Sequence, residues 1–149
     1  MQELQHEAVN ILIVEDNPHD AELMIRALKK NKLANELFVA EDGEEALDFV
    51  FNRGKFSEKQ THQLPKVIFL DLKLPKLNGL EVLKEIKSTP LTRSIPVIIV
   101  TSSREDPDIK AAYDLGANSY VVKPVNFEEF FQAMDKLGFY WLLINECSK

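Results

Sequence analysis

Five short runs of branched and aromatic residues punctuate the chain: Val9 to Val14, Leu37 to Ala40, Val67 to Leu70, Val97 to Val100 and Ser119 to Val122. Within most of them apolar side chains follow one another without strict alternation. Alternation marks a strand with one wet face, so these runs predict strands covered on both faces of a parallel sheet. Pro96 stands just before the fourth run, where its missing amide hydrogen does the ladder least harm. Between the runs the apolar spacing becomes helical. Asn17 and Pro18 open a first helix whose inward face is Ala21, Met24, Ile25 and Leu28. Asp42 and Glu45 have capping-box spacing for a second, carrying Ala46, Leu47, Phe49 and Val50. Asn78 caps a third, with Leu80, Leu83 and Ile86 inward and Pro90 just past its end. Asp106 and Pro107 open a fourth, which Gly116 closes in a left-handed conformation. Asn126 and Glu129 repeat the capping-box spacing at the head of a fifth.

Strand then helix, five times over, predicts an α/β fold: a five-stranded, doubly wound parallel sheet joined by right-handed crossovers. The reading takes residues 1–149 as one domain, with a short N-terminal extension at 1–8 and an apolar helix end at 137–146. A length of 149 residues suffices for one continuous core, and 45% hydrophobic with 28% charged residues is ordinary for a globular chain. The net charge of −6, with no long basic run to offset it, argues against general affinity for nucleic acid or anionic lipid. The apolar runs are too short to span a bilayer, and Met1 to Glu7 is polar and acidic rather than a secretory leader. Cys147 is the single cysteine, which excludes an internal disulfide and fits a reducing, cytoplasmic setting. His6, His19 and His62 lack metal-ligand spacing and read as surface residues. The stretch from Asn52 to Lys66 is mostly polar, contains Gly54 and Pro65, and reads as a long exposed loop suited to a contact surface.

In an open parallel sheet, ligands lie beyond the carboxyl ends of the strands, near the point where strand order reverses. The first strand ends in Glu15-Asp16, the third in Asp71, the fourth in Thr101 and the fifth in Lys123-Pro124. Strand ends are often polar by default, so each residue alone says little. Together they bring three carboxylates, a hydroxyl and an ammonium to one edge. Carboxylates that converge must take up protons unless a cation sits among them. Mg²⁺ suits such oxygens, commonly binding one or two carboxylates plus waters and a phosphate oxygen. A carboxylate can also attack phosphorus to give an aspartyl phosphate, a transfer that needs positioning and charge neutralisation. A metal, Lys123 and the Thr101 hydroxyl could supply both.

The order Ile11-Leu12-Ile13-Val14-Glu15-Asp16-Asn17, Leu70-Asp71-Leu72-Lys73-Leu74-Pro75 with Asn78-Gly79, Val100-Thr101-Ser102 and Val122-Lys123-Pro124 resembles the receiver domain of bacterial response regulators. The resemblance covers nearly the whole chain from Val9. It implies a flavodoxin-like (βα)5 fold with strand order 2-1-3-4-5, and a two-component phosphorelay function with Mg²⁺ as cofactor. Carried over by position, Asp71 is the phosphoacceptor, and Glu15, Asp16, Asp71 and the backbone carbonyl of Lys73 hold the metal. Lys123 pairs with the phosphoryl group, and its bond to Pro124 is cis. Thr101 moves toward a phosphoryl oxygen while Tyr120 turns inward with it. Glu15 departs from the commoner Asp of the family, and Lys73 and Ser103 occupy variable positions that tune dephosphorylation.

The long loop and the Phe139-Tyr140-Trp141-Leu142-Leu143 ending are similar to response regulators that partner cyanobacterial phytochrome-type kinases. The implied donor is a phosphohistidine on a sensor histidine kinase of that light-regulated class. On a fifth helix, Phe130, Phe131, Met134, Leu137 and Trp141 share a core-facing stripe. Phe139, Tyr140 and Leu143 fall elsewhere on the circumference, which predicts a homodimer contact through that helix. Two other functions share parts of the pattern. A phosphatase of the haloacid dehalogenase class also uses an Asp nucleophile and Mg²⁺, but needs a second Asp two residues on, where this chain has Lys73. A nucleotide- or flavin-binding protein needs a phosphate-cradling loop after the first strand, where Glu15-Asp16-Asn17-Pro18 would repel phosphate. The expected protein is therefore a phosphorylated switch that promotes only its own aspartyl phosphorylation and dephosphorylation.

Overall fold

The computed structural model describes residues 10–30, 36–57 and 64–124, together with Asn126, Glu128 and Gln132. Five strands, β1 (Asn10–Val14), β2 (Glu36–Ala40), β3 (Val67–Leu70), β4 (Val97–Thr101) and β5 (Ser119–Val122), form one parallel sheet in the order β2-β1-β3-β4-β5. Helices α1 (Pro18–Lys30), α2 (Gly43–Phe51), α3 (Gly79–Ser88) and α4 (Asp106–Asp114) follow the first four strands in turn. The chain runs from β1 outward to β2 and returns to pair β3 on the other side of β1, so strand order reverses between β1 and β3. Most of the predicted fifth helix, the extension at 1–8 and the apolar ending at 137–146 lie outside the described residues.

The two-faced strands divide their side chains between two cores. Leu12, Val14, Ile68, Leu70, Val97 and Ile99 join one with residues of α2 and α3 and Ala112 of α4. Their neighbours Ile11, Ile13, Val67, Phe69, Ile98, Val100 and Val121 join the other, where α1 contributes Met24, Ala27 and Leu28. Each large buried side chain contributes about 1.5–3 kcal/mol relative to exposure, in keeping with the unbroken apolar runs Ile11 to Val14, Val67 to Leu70 and Val97 to Val100 of the central strands.

Local chemistry sets the helix starts. The Asn17 carboxamide oxygen accepts from the backbone N–H of His19 at 2.9 Å and of Asp20 at 3.1 Å. Asn78 and Glu81 form a full capping box. At α2 only half of the expected box forms. Glu45 N–H donates to Asp42 Oδ1 at 2.7 Å, but the Glu45 carboxylate reaches back to the N–H of Glu41, one residue before the cap. Gly116 lies past the end of α4 with φ of 108°, the left-handed backbone its sequence position suggested. On α3 the buried stripe is Gly79, Val82, Leu83 and Ile86, while Leu80 sits half-buried at its flank rather than at its centre.

The stretch after α2 is not wholly an exposed loop. Asn52 takes φ of 56°, and a 3₁₀ turn over Gly54–Phe56 returns the Phe56 ring to the core. Phe38 and Phe49 stack with centroids 4.4 Å apart, and Phe56 meets each edge-on at 5.3 Å. A lone aromatic in a polar stretch has no periodicity to betray it. Phe56→Ala is expected to lower unfolding free energy by about 3 kcal/mol in urea denaturation; a loss well under 1 kcal/mol would show that the turn is not anchored by this ring.

Candidate functional site

Three residues stand one place beyond the strands, yet the sheet ladder still holds their backbones. Glu15 N–H donates to Ala40 O at 2.9 Å, Asp71 N–H to Val14 O at 3.0 Å, and Lys123 N–H to Thr101 O at 2.8 Å. Their side chains therefore leave the sheet edge from fixed starting points. Thr101, the last residue of β4, is fully buried. Glu15, Asp16 and Asp71 each place a carboxylate oxygen within 4.8 Å of the others, at the point where strand order reverses. Glu15 and Asp71 are buried, whereas Asp16 is exposed.

The Lys123 ammonium lies 2.9 Å from Glu15 Oε1, 2.9 Å from Asp71 Oδ2 and 2.9 Å from Asp20 Oδ2. Burial alone would lower its pKa, but the bonds to Asp20, Glu15 and Asp71 outweigh this and hold it above the ordinary lysine range. Burial pushes the Glu15 carboxyl up to about 7. The Asp71 charge adds to that rise, while the bond with Lys123 and the Asn17 N–H on Glu15 Oε2 at 3.1 Å oppose it. Glu15 Oε1 is buried and, apart from the Lys123 ammonium 2.9 Å away, meets no donor among the described residues. An oxygen in that condition within a cluster of three carboxylates fits a hard divalent cation.

The β3–α3 loop closes tightly around the edge. Lys73 N–H donates to Asp71 Oδ1 at 3.2 Å, and Gly79 N–H donates to Leu72 O at 2.8 Å. On the other flank, the Ser103 hydroxyl donates to Asp108 Oδ2 at 2.5 Å and accepts from Glu105 N–H at 3.3 Å. Tyr120 OH donates to the Ser103 carbonyl at 3.1 Å, and Ser103 N–H faces Thr101 Oγ1 at 3.5 Å. Burial raises the Tyr120 pKa, and the Asp108 and Asp71 charges add to it against the opposing bond to Ser103. The peptide bond between Lys123 and Pro124 is cis.

The structure thus brings together Glu15, Asp16, Asp71 and Lys123, and it ties Thr101 to Tyr120 through Ser103. Two members of this edge escaped sequence reasoning. Asp20 stands in the first turn of α1, where an acid is expected merely to complement the helix dipole. Asp108 occupies the same kind of place in α4. Phe139, Tyr140 and Leu143 lie outside the described residues.

A family model for the response regulator receiver domain matches residues 11–135. The chain is a response-regulator receiver. The receiver is 36% identical over 132 residues to the response regulator Rcp1 of Synechocystis sp., covering 89% of this chain and 88% of that one. The structure of the bacteriophytochrome response regulator AtBRR is 50% identical with a TM-score of 0.79, covering 91% and 96% of the two chains. The phosphorylated cyanobacterial phytochrome response regulator RcpA is 36% identical with a TM-score of 0.77, covering 91% and 95%. The Mn²⁺-bound form of Rcp1 has a TM-score of 0.76 at 36% identity, covering 89% and 94%. Receivers accept phosphoryl groups from sensor histidine kinases, and this one belongs among those related to phytochrome response regulators. The match gives the dehalogenase-type phosphatase no support, in keeping with Lys73 two residues past Asp71. Among the described residues no helix is long and apolar enough to cross a membrane.

Gly79 permits the close packing behind the acidic cluster. A Cβ there would lie 2.2 Å from Asp71 O and 2.5 Å from Leu72 Cα, both backbone atoms that cannot swing aside. Gly79→Ala should lower unfolding free energy by about 1–3 kcal/mol, read by urea titration, and displace Asp71 from Lys123. Unchanged stability would mean that the loop shifts freely, contrary to its packing.

Proposed function

We propose that Asp71 is the phosphoacceptor of this receiver and that Mg²⁺ is its resident cation. The observation that carries the reading is the buried Asp71 carboxylate, 2.9 Å from the Lys123 ammonium and inside a three-carboxylate cluster at the sheet edge. In the proposed transfer, an Asp71 oxygen attacks the phosphorus of a phosphohistidine. The P–N bond breaks, and the imidazole leaves with the bonding pair. Glu15, Asp16, Asp71 and the Lys73 carbonyl would hold Mg²⁺, which when bound neutralises charge on the phosphoryl oxygens. Lys123 supplies a further positive charge to those oxygens, and the Thr101 hydroxyl receives one as a hydrogen-bond donor. Tyr120 is the aromatic that follows Thr101, a role supported by its bond to Ser103, two residues past Thr101. The receiver acts on no separate substrate and promotes only its own phosphorylation and dephosphorylation. The likeness to AtBRR and RcpA supports a phytochrome-type kinase as donor, and such a partner is consistent with a cytoplasmic setting.

Incubation with acetyl phosphate and Mg²⁺ should label the receiver and leave Asp71→Asn unlabelled, read by intact-protein mass. Chelation with EDTA should abolish labelling of the parent. Equal labelling of parent and variant would remove Asp71 from the role.

The second part of the proposal is a homodimer through Phe139, Tyr140 and Leu143, supported by the apolar character of that ending in the sequence. Light scattering should give twice the chain mass, and Tyr140→Asp should shift it toward the monomer. A monomeric parent at working concentration would refute the contact.

A further inference from the structure

The Lys123 ammonium has three hydrogens and three carboxylates at 2.9 Å, those of Glu15, Asp20 and Asp71. These partners are not equivalent. Glu15 and Asp71 belong, with Asp16, to the cluster whose oxygens lie within 4.8 Å of one another, and Asp20 does not. A divalent cation at that cluster would engage Glu15 and Asp71, two of the three carboxylates that Lys123 contacts, and its charge would repel the ammonium. Lysine is a point charge on a flexible stem, so with two of its anchors engaged elsewhere it would turn outward to solvent. Asp20 is the one partner that stays available. It is well placed to hold: its backbone N–H is fixed to Asn17 Oδ1 at 3.1 Å, and its carboxylate lies in the first turn of α1, where the helix dipole favours negative charge.

We propose that Asp20 is a positioning residue for phosphoryl transfer, holding the Lys123 ammonium over the acidic cluster from the α1 side while a cation engages Glu15 and Asp71. The inference rests on Asp71 as phosphoacceptor and adds a reason for its reactivity. A tethered ammonium meets the incoming phosphoryl oxygen already oriented, so its reorganisation is not part of the barrier. Asp20 touches neither the donor nor the reacting atoms; it acts through Lys123.

The test compares the full chain with Asp20→Asn, Asp20→Ala and Asp20→Glu, using Asp16→Asn and Asp71→Asn as controls. Labelling by acetyl phosphate at saturating Mg²⁺ should slow by on the order of ten-fold in Asp20→Asn and Asp20→Ala, and Asp20→Glu should recover most of the rate. Mg²⁺ affinity, read by calorimetry, should stay near the parent value in Asp20→Asn and fall in Asp16→Asn. In Mg²⁺-loaded protein, the Lys123 ammonium proton resonance should be sharp in the parent and broadened by exchange in Asp20→Asn. That last readout involves no phosphoryl transfer, so it judges Asp20 even if Asp71→Asn labels like the parent and the acceptor assignment falls. An unchanged Lys123 resonance would overturn the proposal. So would a loss of Mg²⁺ affinity in Asp20→Asn equal to that in Asp16→Asn, which would make Asp20 a cation ligand instead.

Discussion

Like charges packed at the edge of a sheet repel unless something neutralises them, and the layout of this receiver follows from how that is done. Four carboxylates, those of Glu15, Asp16, Asp20 and Asp71, crowd one rim, and one ammonium, that of Lys123, lies within 2.9 Å of three of them. At such separations and partial burial each attraction amounts to several kcal/mol before the cost of removing charges from water is subtracted. The ammonium therefore holds the rim together but leaves it acidic. What remains is an excess of negative charge, the setting that the proposed divalent cation requires.

The rest of the fold keeps those charges from drifting apart. Both faces of the central strands are packed, so the strand ends can move only if two cores move with them. Ladder hydrogen bonds run one residue past the ends of β1, β3 and β5, which fixes the Cα positions of Glu15, Asp71 and Lys123 against neighbouring strands. The close approach of Gly79 to the Asp71 carbonyl adds a further brace. Farther from the rim, the Lys87 ammonium binds the carbonyls of Arg93 and Ile95 at 3.1 and 2.7 Å and Asn118 Oδ1 at 3.3 Å. It ties the end of α3 to the segments that enter β4 and β5. Its partners are neutral oxygens at the entries to β4 and β5, which makes this tie a scaffold; burial lowers its pKa.

Much of this was legible in the residues because each signal had one physical cause. Unbroken apolar runs gave the strands their places, and cap residues such as Asn17 and Asn78 gave the helices their starts, because an orphan N–H needs a nearby oxygen whatever the tertiary context. The acids at strand ends could be read since topology alone brings those ends together. Asp20 and Phe56 could not be read in the same way. Each has a bland local explanation, a dipole-complementing acid and a stray apolar residue in a loop. Only the fold shows that one reaches Lys123 and the other closes an aromatic cluster. The reciprocal bond of Glu45 moved to Glu41 for a related reason: spacing predicts that a carboxylate can return to the cap, not which of two adjacent N–H groups it meets.

In the proposed switch, the β4–α4 loop is where an event at the rim would be passed outward. Ser103 is buried and every polar group on it is engaged: its N–H faces Thr101, its hydroxyl is shared between Asp108 and Glu105, and its carbonyl accepts from Tyr120. The N–H to Thr101 at 3.5 Å is the longest and weakest of these contacts, so in the proposed switch it would be the first to yield to a stronger partner of the Thr101 hydroxyl. The remaining bonds join Ser103 to α4 through Asp108 and to β5 through Tyr120, so displacement of Ser103 would move both or break a partly buried bond. Ser103 itself is buried, and a buried polar group left unpaired costs about 1–3 kcal/mol, which favours keeping these bonds. In the proposed switch, Ser103 would thus stand with Thr101 and Tyr120 between a phosphoryl group at Asp71 and the outer surface of α4, where Tyr113 stands exposed beside Tyr120.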